Sequence, residues 1–284
     1  TEKLYLKNRR YFLYPAAGIL LLFSLLTWQR NYELNDPIKI WSAGVRNEPK
    51  HIGNWVNLAI VYKNQGNLKK AKKLIQSIPG LSEYNNDEQA NLYITLGEIY
   101  FLEKNYEQSL NILNKALSLN PIVPVKWVIY YGLGNVFEAL GNDAQALINW
   151  EKASKLNPAS WETYEKIGSF FLQRKDFIKA KKYIDKTVRL NPNYSSLFLL
   201  ARFYEVEGNY QTAVKAYRQS IKLKPDWFQS HYNLCLLYAK LQDSRCFDEL
   251  SETLRLNPEF IPAQSLFHSL KKPNTRPQCI FEQH

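Results

Sequence analysis

Methionine does not occur in this 284-residue sequence, not even at position 1, and there are only three cysteines and four histidines. A threonine at position 1 is not an initiator, so the chain is expected to be either processed or the C-terminal part of something longer. Cys235, Cys246 and Cys279 are too few for a disulfide scaffold. His51, His231, His268 and His284 fall in no His-Glu-x-x-His or other paired spacing, and there is no Cys-x-x-Cys, no Gly-rich phosphate loop and no Gly-x-Ser-x-Gly. These absences remove the common routes to metal, phosphate and nucleophilic chemistry. No catalytic residue, cofactor or metal is expected, and the chain by itself is not expected to be an enzyme.

Charge of one sign is in excess, and its placement limits what it implies. The formal net charge is +11. Second-helix clusters such as Lys69, Lys70, Lys72, Lys73 and Lys179, Lys181, Lys182 read as a solvated face rather than a nucleic-acid or lipid footprint. Tyr and Phe are frequent but sit at periodic core positions, so no stacking platform for bases is expected and no nucleic acid is expected as a partner.

What is present is a rhythm of nearly 34 residues, repeated six times between Trp55 and Pro258. Its clearest copy runs Tyr93, Leu96, Gly97, Tyr100, Tyr106, Ser109, Leu113, Ala116, Pro121, and the same spacing returns from Tyr130 to Pro158 and from Tyr164 to Pro192. Large apolar residues three and four apart make one stripe on a first helix. Gly97, Gly134 and Gly168 fall where a second helix crosses closely, and Ala71, Ala146, Ala180 and Ala213 remove bulk from that second helix. Gly66, Gly141 and Gly208 mark the turn between them, and the Asn-Pro pairs at 120, 157, 191 and 257 end the second helix. The pattern resembles the tetratricopeptide repeat, which implies an all-α, right-handed superhelix of stacked helical hairpins.

The rhythm sets expected boundaries at 51–83, 90–121, 127–158, 161–192, 194–225 and 228–258, the last copy one residue short near Asp243. Trp41, Gly44 and Pro49 suggest a half repeat at 36–48 within a junction at 29–50, and Pro262 to Leu270 read as a capping helix at 259–271. Spacers of 38 and 37 residues before the second and third copies, through Pro79 to Asp87 and Pro121 to Pro124, read as longer surface loops. Residues 272–284 are polar, aperiodic and expected to be disordered.

Residues 11–28, YFLYPAAGILLLFSLLTW, contain no charge. Eighteen residues at about 1.5 Å each reach about 27 Å, enough for a bilayer core. Tyr11, Tyr14 and Trp28 sit where interfacial aromatics belong, and Lys3, Lys7, Arg9 and Arg10 precede the run in a basic flank at 1–10. A single transmembrane helix is therefore expected, with the N-terminus cytoplasmic and the repeats on the extracytoplasmic side: periplasm, exterior or organelle lumen.

First-helix residues that point away from the second helix would line a concave binding surface for a protein or peptide. By register these are Asn57, Thr95, Glu98, Tyr131, Asn135, Glu165, Phe198, Arg202, Tyr232 and Asn233. The Lys/Asn/Arg carboxylate clamp of chaperone-binding relatives is not visible, because Gly53, Val56, Val128 and Gly132 occupy the corresponding positions. Only Asn57 and Asn233 fit the asparagine ladder of nucleocytoplasmic sugar transferases. Cys235 and Cys246 occupy facing small-residue positions and are expected to touch, as a disulfide or as two buried thiols.

The junction from about residue 20 to 67, through Thr27, Arg30-Asn31, Trp41, Pro49, Trp55, Asn57-Leu58 and Gly66, resembles that of the transmembrane-and-tetratricopeptide O-mannosyltransferases and their bacterial relatives. The resemblance implies repeats outside the cytoplasm that present protein acceptors to a preceding membrane domain absent from this chain. Two functions are thus expected as alternatives. One is a membrane-anchored scaffold, part of a larger membrane or envelope complex. The other is the acceptor-recognition part of a polytopic membrane O-glycosyltransferase.

Overall fold

The computed structural model describes residues 36–270, and among these every regular element is helical. The apolar run at 11–28 and the tail at 272–284 lie outside the described residues. Among the described residues no helix is long and apolar enough to cross a membrane.

Fourteen α-helices succeed one another among the described residues: α1 Pro37–Asn47, α2 Ile52–Asn64, α3 Leu68–Gln76, α4 Asn86–Leu102, α5 Tyr106–Ser118, α6 Val123–Ala139, α7 Asp143–Leu156, α8 Trp161–Gln173, α9 Phe177–Leu190, α10 Tyr194–Glu207, α11 Tyr210–Leu223, α12 Phe228–Lys240, α13 Cys246–Leu256 and α14 Ile261–Leu270. The chain forms two compact units that divide after Ala146. In the first, α1 packs on α2, and the hairpins α2/α3 and α4/α5 are succeeded by α6. In the second, the hairpins α8/α9, α10/α11 and α12/α13 stack in order and α14 lies against α13.

Each turn from first to second helix is built the same way, from two backbone bonds and one side chain. A residue with left-handed φ follows the first helix, immediately at Gly208 and after one intervening residue in the other five turns: Gly66, Lys104, Gly141, Lys175, Gly208 and Gln242, with φ of 76, 60, 74, 58, 85 and 56°. The next N–H reaches back to the carbonyl of an aromatic residue five positions earlier, as in Asn67 to Tyr62 at 2.9 Å, Asp176 to Phe171 at 3.0 Å and Asp243 to Tyr238 at 2.8 Å. In most turns that same Asn or Asp then caps the second helix. Asn67 accepts from Lys70 N at 3.2 Å, Asp176 from Lys179 N at 3.1 Å and Asn209 from Thr212 N at 3.3 Å. Three of the six turns use Lys or Gln where glycine is the unstrained choice, which is why glycine spacing identifies only half of them.

Within each hairpin the two helices cross at small residues. At Gly97 a Cβ would stand 2.9 Å from the Leu113 side chain, and at Gly168 it would stand 2.9 Å from Ile184 Cγ1 and 3.3 Å from the Ile184 backbone nitrogen. The Ser109 hydroxyl uses the gap, donating to Gly97 O at 2.8 Å. Around these crossings Ala59, Ala71, Ile99, Ala116 and Ile129 in the first unit, and Ile167, Ala180, Ala201, Ala213 and Leu234 in the second, lose all solvent contact.

One reading of the sequence changes here and a second is refined. The spacers before the second and third copies are not simply surface loops. Residues Leu81–Glu83 form a 3-10 turn, then Asn85 and Glu88 close a capping box, and α4 starts at Asn86 and runs for 17 residues. Pro124 likewise sits in the first turn of α6, also 17 residues long, so the extra chain mostly lengthens the first helices. Of the lysine clusters, Lys69, Lys70, Lys73, Lys179 and Lys182 are exposed, as a solvated face requires, while Lys72 and Lys181 are half-buried. Lys70 lies 5.6 Å from the centroid of the Tyr62 ring and Lys179 lies 4.9 Å from that of Phe171. Lys72 bonds Glu103 at 2.6 Å and Lys181 bonds Asp185 at 2.6 Å.

The turn geometry predicts opposite responses to opposite substitutions. Gly208→Ala lowers unfolding free energy by about 1 kcal/mol, because the left-handed conformation disfavours a Cβ. Lys175→Gly leaves stability unchanged or raises it, whereas glycine inside a helix costs about 1 kcal/mol. Urea unfolding of both variants checks this, and a loss of that size for Lys175→Gly contradicts the turn assignment.

Candidate functional site

In the first unit, first helices α2, α4 and α6 lie side by side, α4 contacting both of the others. Open space lies between α4 and α6 over the later part of each helix. A hollow of about 280 Å³ is lined by Ile94, Gly97, Glu98, Phe101 and Leu102 of α4, Val128, Tyr131, Gly132, Asn135 and Val136 of α6, and Lys63 of α2. Its floor is α5, seen through two glycines: Leu113 lies 2.9 Å from where a Cβ on Gly97 would be and 3.2 Å from one on Gly132. A second hollow, about 440 Å³, opens between α2 and α4 and shares Ile94, Glu98 and Val128 with the first. Ile52, Val56, Asn57, Ile60, Glu88, Asn91 and Thr95 line the rest of it, with His51 and Gly53 at one end.

Five of the ten residues expected to line a groove therefore converge. Asn57, Thr95 and Glu98 face the larger hollow, and Glu98, Tyr131 and Asn135 face the smaller. On α4 the hollow-facing stripe is Glu88, Asn91, Thr95, Glu98, a spacing that keeps all four on one side of a helix. Thr95 is buried and its hydroxyl donates to Asn91 O at 3.1 Å. Glu98 pairs with Lys63, and the two are unequally placed: the Lys63 side chain is 15% exposed and that of Glu98 is 45% exposed. The carboxylate rather than the ammonium thus meets solvent at the mouth.

The other five residues, in the second unit, are engaged differently. Phe198 meets Trp227 edge-on at 4.7 Å and Tyr217 at 5.7 Å, so it packs the next repeat. Tyr232 does the same against Phe260 at 4.9 Å. Asn233 donates from Nδ2 to Gln229 O at 2.8 Å within its own helix, and Arg202 is half-buried on α10. Glu165 accepts from the Ser195 hydroxyl. Burial raises the Glu165 pKa above the usual carboxylate range and Glu162 adds to the rise, against the lowering effects of Ser195 and Lys166.

Lys63 was not revealed by spacing, and register placed Gly132, with Gly53, Val56 and Val128, only at positions where a carboxylate clamp is missing. Gly132 stands two positions before the small-residue position of its helix, at Gly134, and serves the hollow instead of the crossing. A second glycine inside a helix, where it costs about 1 kcal/mol relative to alanine, is the signal that could have found it. Lys63 could not be found this way, since its role depends on the 35-residue separation from Glu98.

Cys235 and Cys246 are brought together sulfur to sulfur, with Cα atoms 4.0 Å apart and both residues buried. They occupy the crossing of α12 and α13 that glycine, alanine or serine fills in the earlier hairpins. Close by, buried His231 directs Nδ1 at Glu249 Oε2, 2.6 Å away, and Nε2 at Pro225 O, 3.0 Å away. Both partners are acceptors, so the ring satisfies both only as imidazolium. Burial lowers the His231 pKa, but the bonds to Glu249 and Pro225 and the charges of Glu249 and Glu252 outweigh it and the net shift is upward.

A family model described as "Integrator complex subunit 8, TPR repeats" matches residues 54–220, and one described as "TPR repeat" matches residues 206–242. The chain is 26% identical over 210 residues to the BBSome complex member BBS4 of Bos taurus, a match that covers 72% of this chain and 38% of that protein. It therefore spans well under half the length of that curated relative. Among solved structures it resembles the APC/C hetero-tetramer Cut9-Hcn1 with a TM-score of 0.68 at 17% identity, covering 82% of this chain and 45% of that one. It also resembles pilF of Pseudomonas aeruginosa, with a TM-score of 0.61 at 20% identity over 78% of this chain and 98% of that one. At these identities the structures share the fold.

The raised His231 pKa carries a pH signature. Its contribution to stability is complete below the unfolded imidazole pKa of about 6.5 and is lost as pH rises through the higher folded value. Thermal midpoints measured from pH 6 upward should fall in the parent chain more steeply than in His231→Gln. Equal slopes contradict a charged His231.

Proposed function

Since the chain belongs to the tetratricopeptide-repeat family, we propose that it is a non-catalytic scaffold that holds a protein partner in the paired hollows of its first unit. The observation that carries this reading is the convergence of Asn57, Thr95, Glu98, Tyr131 and Asn135 on one open surface. Hollows with an apolar floor and amide or hydroxyl groups at the mouth suit a peptide segment, whose side chains need burial and whose backbone needs hydrogen bonds. Membership of a BBSome complex by one relative supports a role within a multiprotein assembly. Residues 11–28 anchor the chain in a membrane with the repeats on the extracytoplasmic side; apolar length and flanking charge support this.

A second reading rests on the junction sequence from about residue 20 to 67: the repeats select protein acceptors for a membrane O-glycosyltransferase. Coding sequence upstream of Thr1 separates the two, since the transferase requires a preceding many-helix membrane domain with an acidic outward loop.

Site-specific photocrosslinking in membranes tests the scaffold. A photoreactive residue at Tyr131 should give one discrete crosslinked protein, while one at Lys69, exposed on α3, should give none. The crosslinked species should resist alkaline extraction from the membrane. Crosslinking from Lys69 alone, or release by alkali, contradicts the surface or the anchor respectively.

A further inference from the structure

We infer that the partner segment held by the first unit is a peptide with one large apolar side chain flanked by basic residues; this rests on the binding role proposed above. The smaller hollow, about 280 Å³, lies just below the range of about 300–1,000 Å³ in which small-molecule sites fall. It suits a single anchoring side chain. Its floor is apolar because the two glycines, Gly97 and Gly132, let the buried Leu113 side chain of α5 approach between the two first helices. An aliphatic or aromatic anchor placed there packs against Leu113, Ile94, Phe101 and Val128.

The basic flanks are inferred from charge. The titratable groups lining the two hollows are His51, Lys63, Glu88, Glu98 and Tyr131. Lys63 is largely buried against Glu98, which leaves the better exposed carboxylate outward. Glu88 stands on the same face of α4, ten positions earlier, half-buried, and one of its carboxylate oxygens also accepts from Asn85 N at 3.1 Å. A chain with net charge +11 thus presents carboxylates along the rim of this surface, the reverse of its overall field. A peptide with lysine or arginine beside its anchor meets those carboxylates without a like-charge penalty. The larger hollow continues along α4 past Asn91 and Asn57, whose amides can bond an extended backbone.

Selection of a displayed random 12-mer peptide library on the detergent-solubilised full chain tests this. Enriched peptides are expected to share a Leu, Ile, Phe or Met with Lys or Arg nearby. Replacing the anchor by alanine should weaken binding at least tenfold. Glu98→Gln, which keeps size and fold, should weaken it about threefold, with the loss shrinking at high salt. Gly132→Leu should abolish enrichment while circular dichroism stays helical. Peptides with acidic flanks or no apolar anchor, enriched on the parent chain but not on Gly132→Leu, overturn the inference and leave the binding role standing. Equal enrichment on Gly132→Leu overturns the inference by placing the peptide elsewhere. Absence of any enrichment counts against both.

Discussion

Two helices can lie close enough to share a core only where their side chains shrink, and the hairpins among the described residues depend on that local loss of bulk. Gly97 against Ser109 and Gly168 against Ala180 bring backbones so near that a Cβ on either glycine meets side-chain carbon below 3.0 Å. Close packing then supplies the dispersion and burial that an isolated amphipathic hairpin cannot supply alone. The turns serve the same end. A left-handed residue, a backbone bond to the carbonyl of an aromatic residue and an Asn or Asp cap fix where the second helix starts, and so which residues reach the crossing.

Much of this was legible in the sequence because it is local or strictly periodic. The small residues, the stripe of aromatics and the Asn-Pro stops recur at fixed spacing and together specify the hairpins. The turns at Lys104, Lys175 and Gln242 were not legible, because a left-handed conformation is written plainly only when glycine adopts it. Nor was the extension of α4, since the capping box of Asn85 and Glu88 lies in a stretch whose length looked like a loop.

The candidate site was half legible for a related reason. Register says which first-helix residues point away from the second helix, and in the first unit that direction opens onto space. In the second unit the same direction meets aromatic residues of the next repeat, so Phe198 and Tyr232 become packing residues. Register cannot distinguish these outcomes, because they depend on side chains contributed by the neighbouring repeat. Gly132 marks the difference: one glycine that the crossing does not need, in a long first helix, lets Leu113 form the floor of the hollow.

The scaffold role proposed for this molecule turns on whether a partner binds in the hollow between α4 and α6. Hydrogen–deuterium exchange of the full chain, alone and with its crosslink-identified partner, tests it most directly. Slowed exchange is expected within residues 88–102 and 123–136, with α3 and α9 unchanged. Protection confined to α3 and α9, with α4 and α6 unaffected, would contradict it.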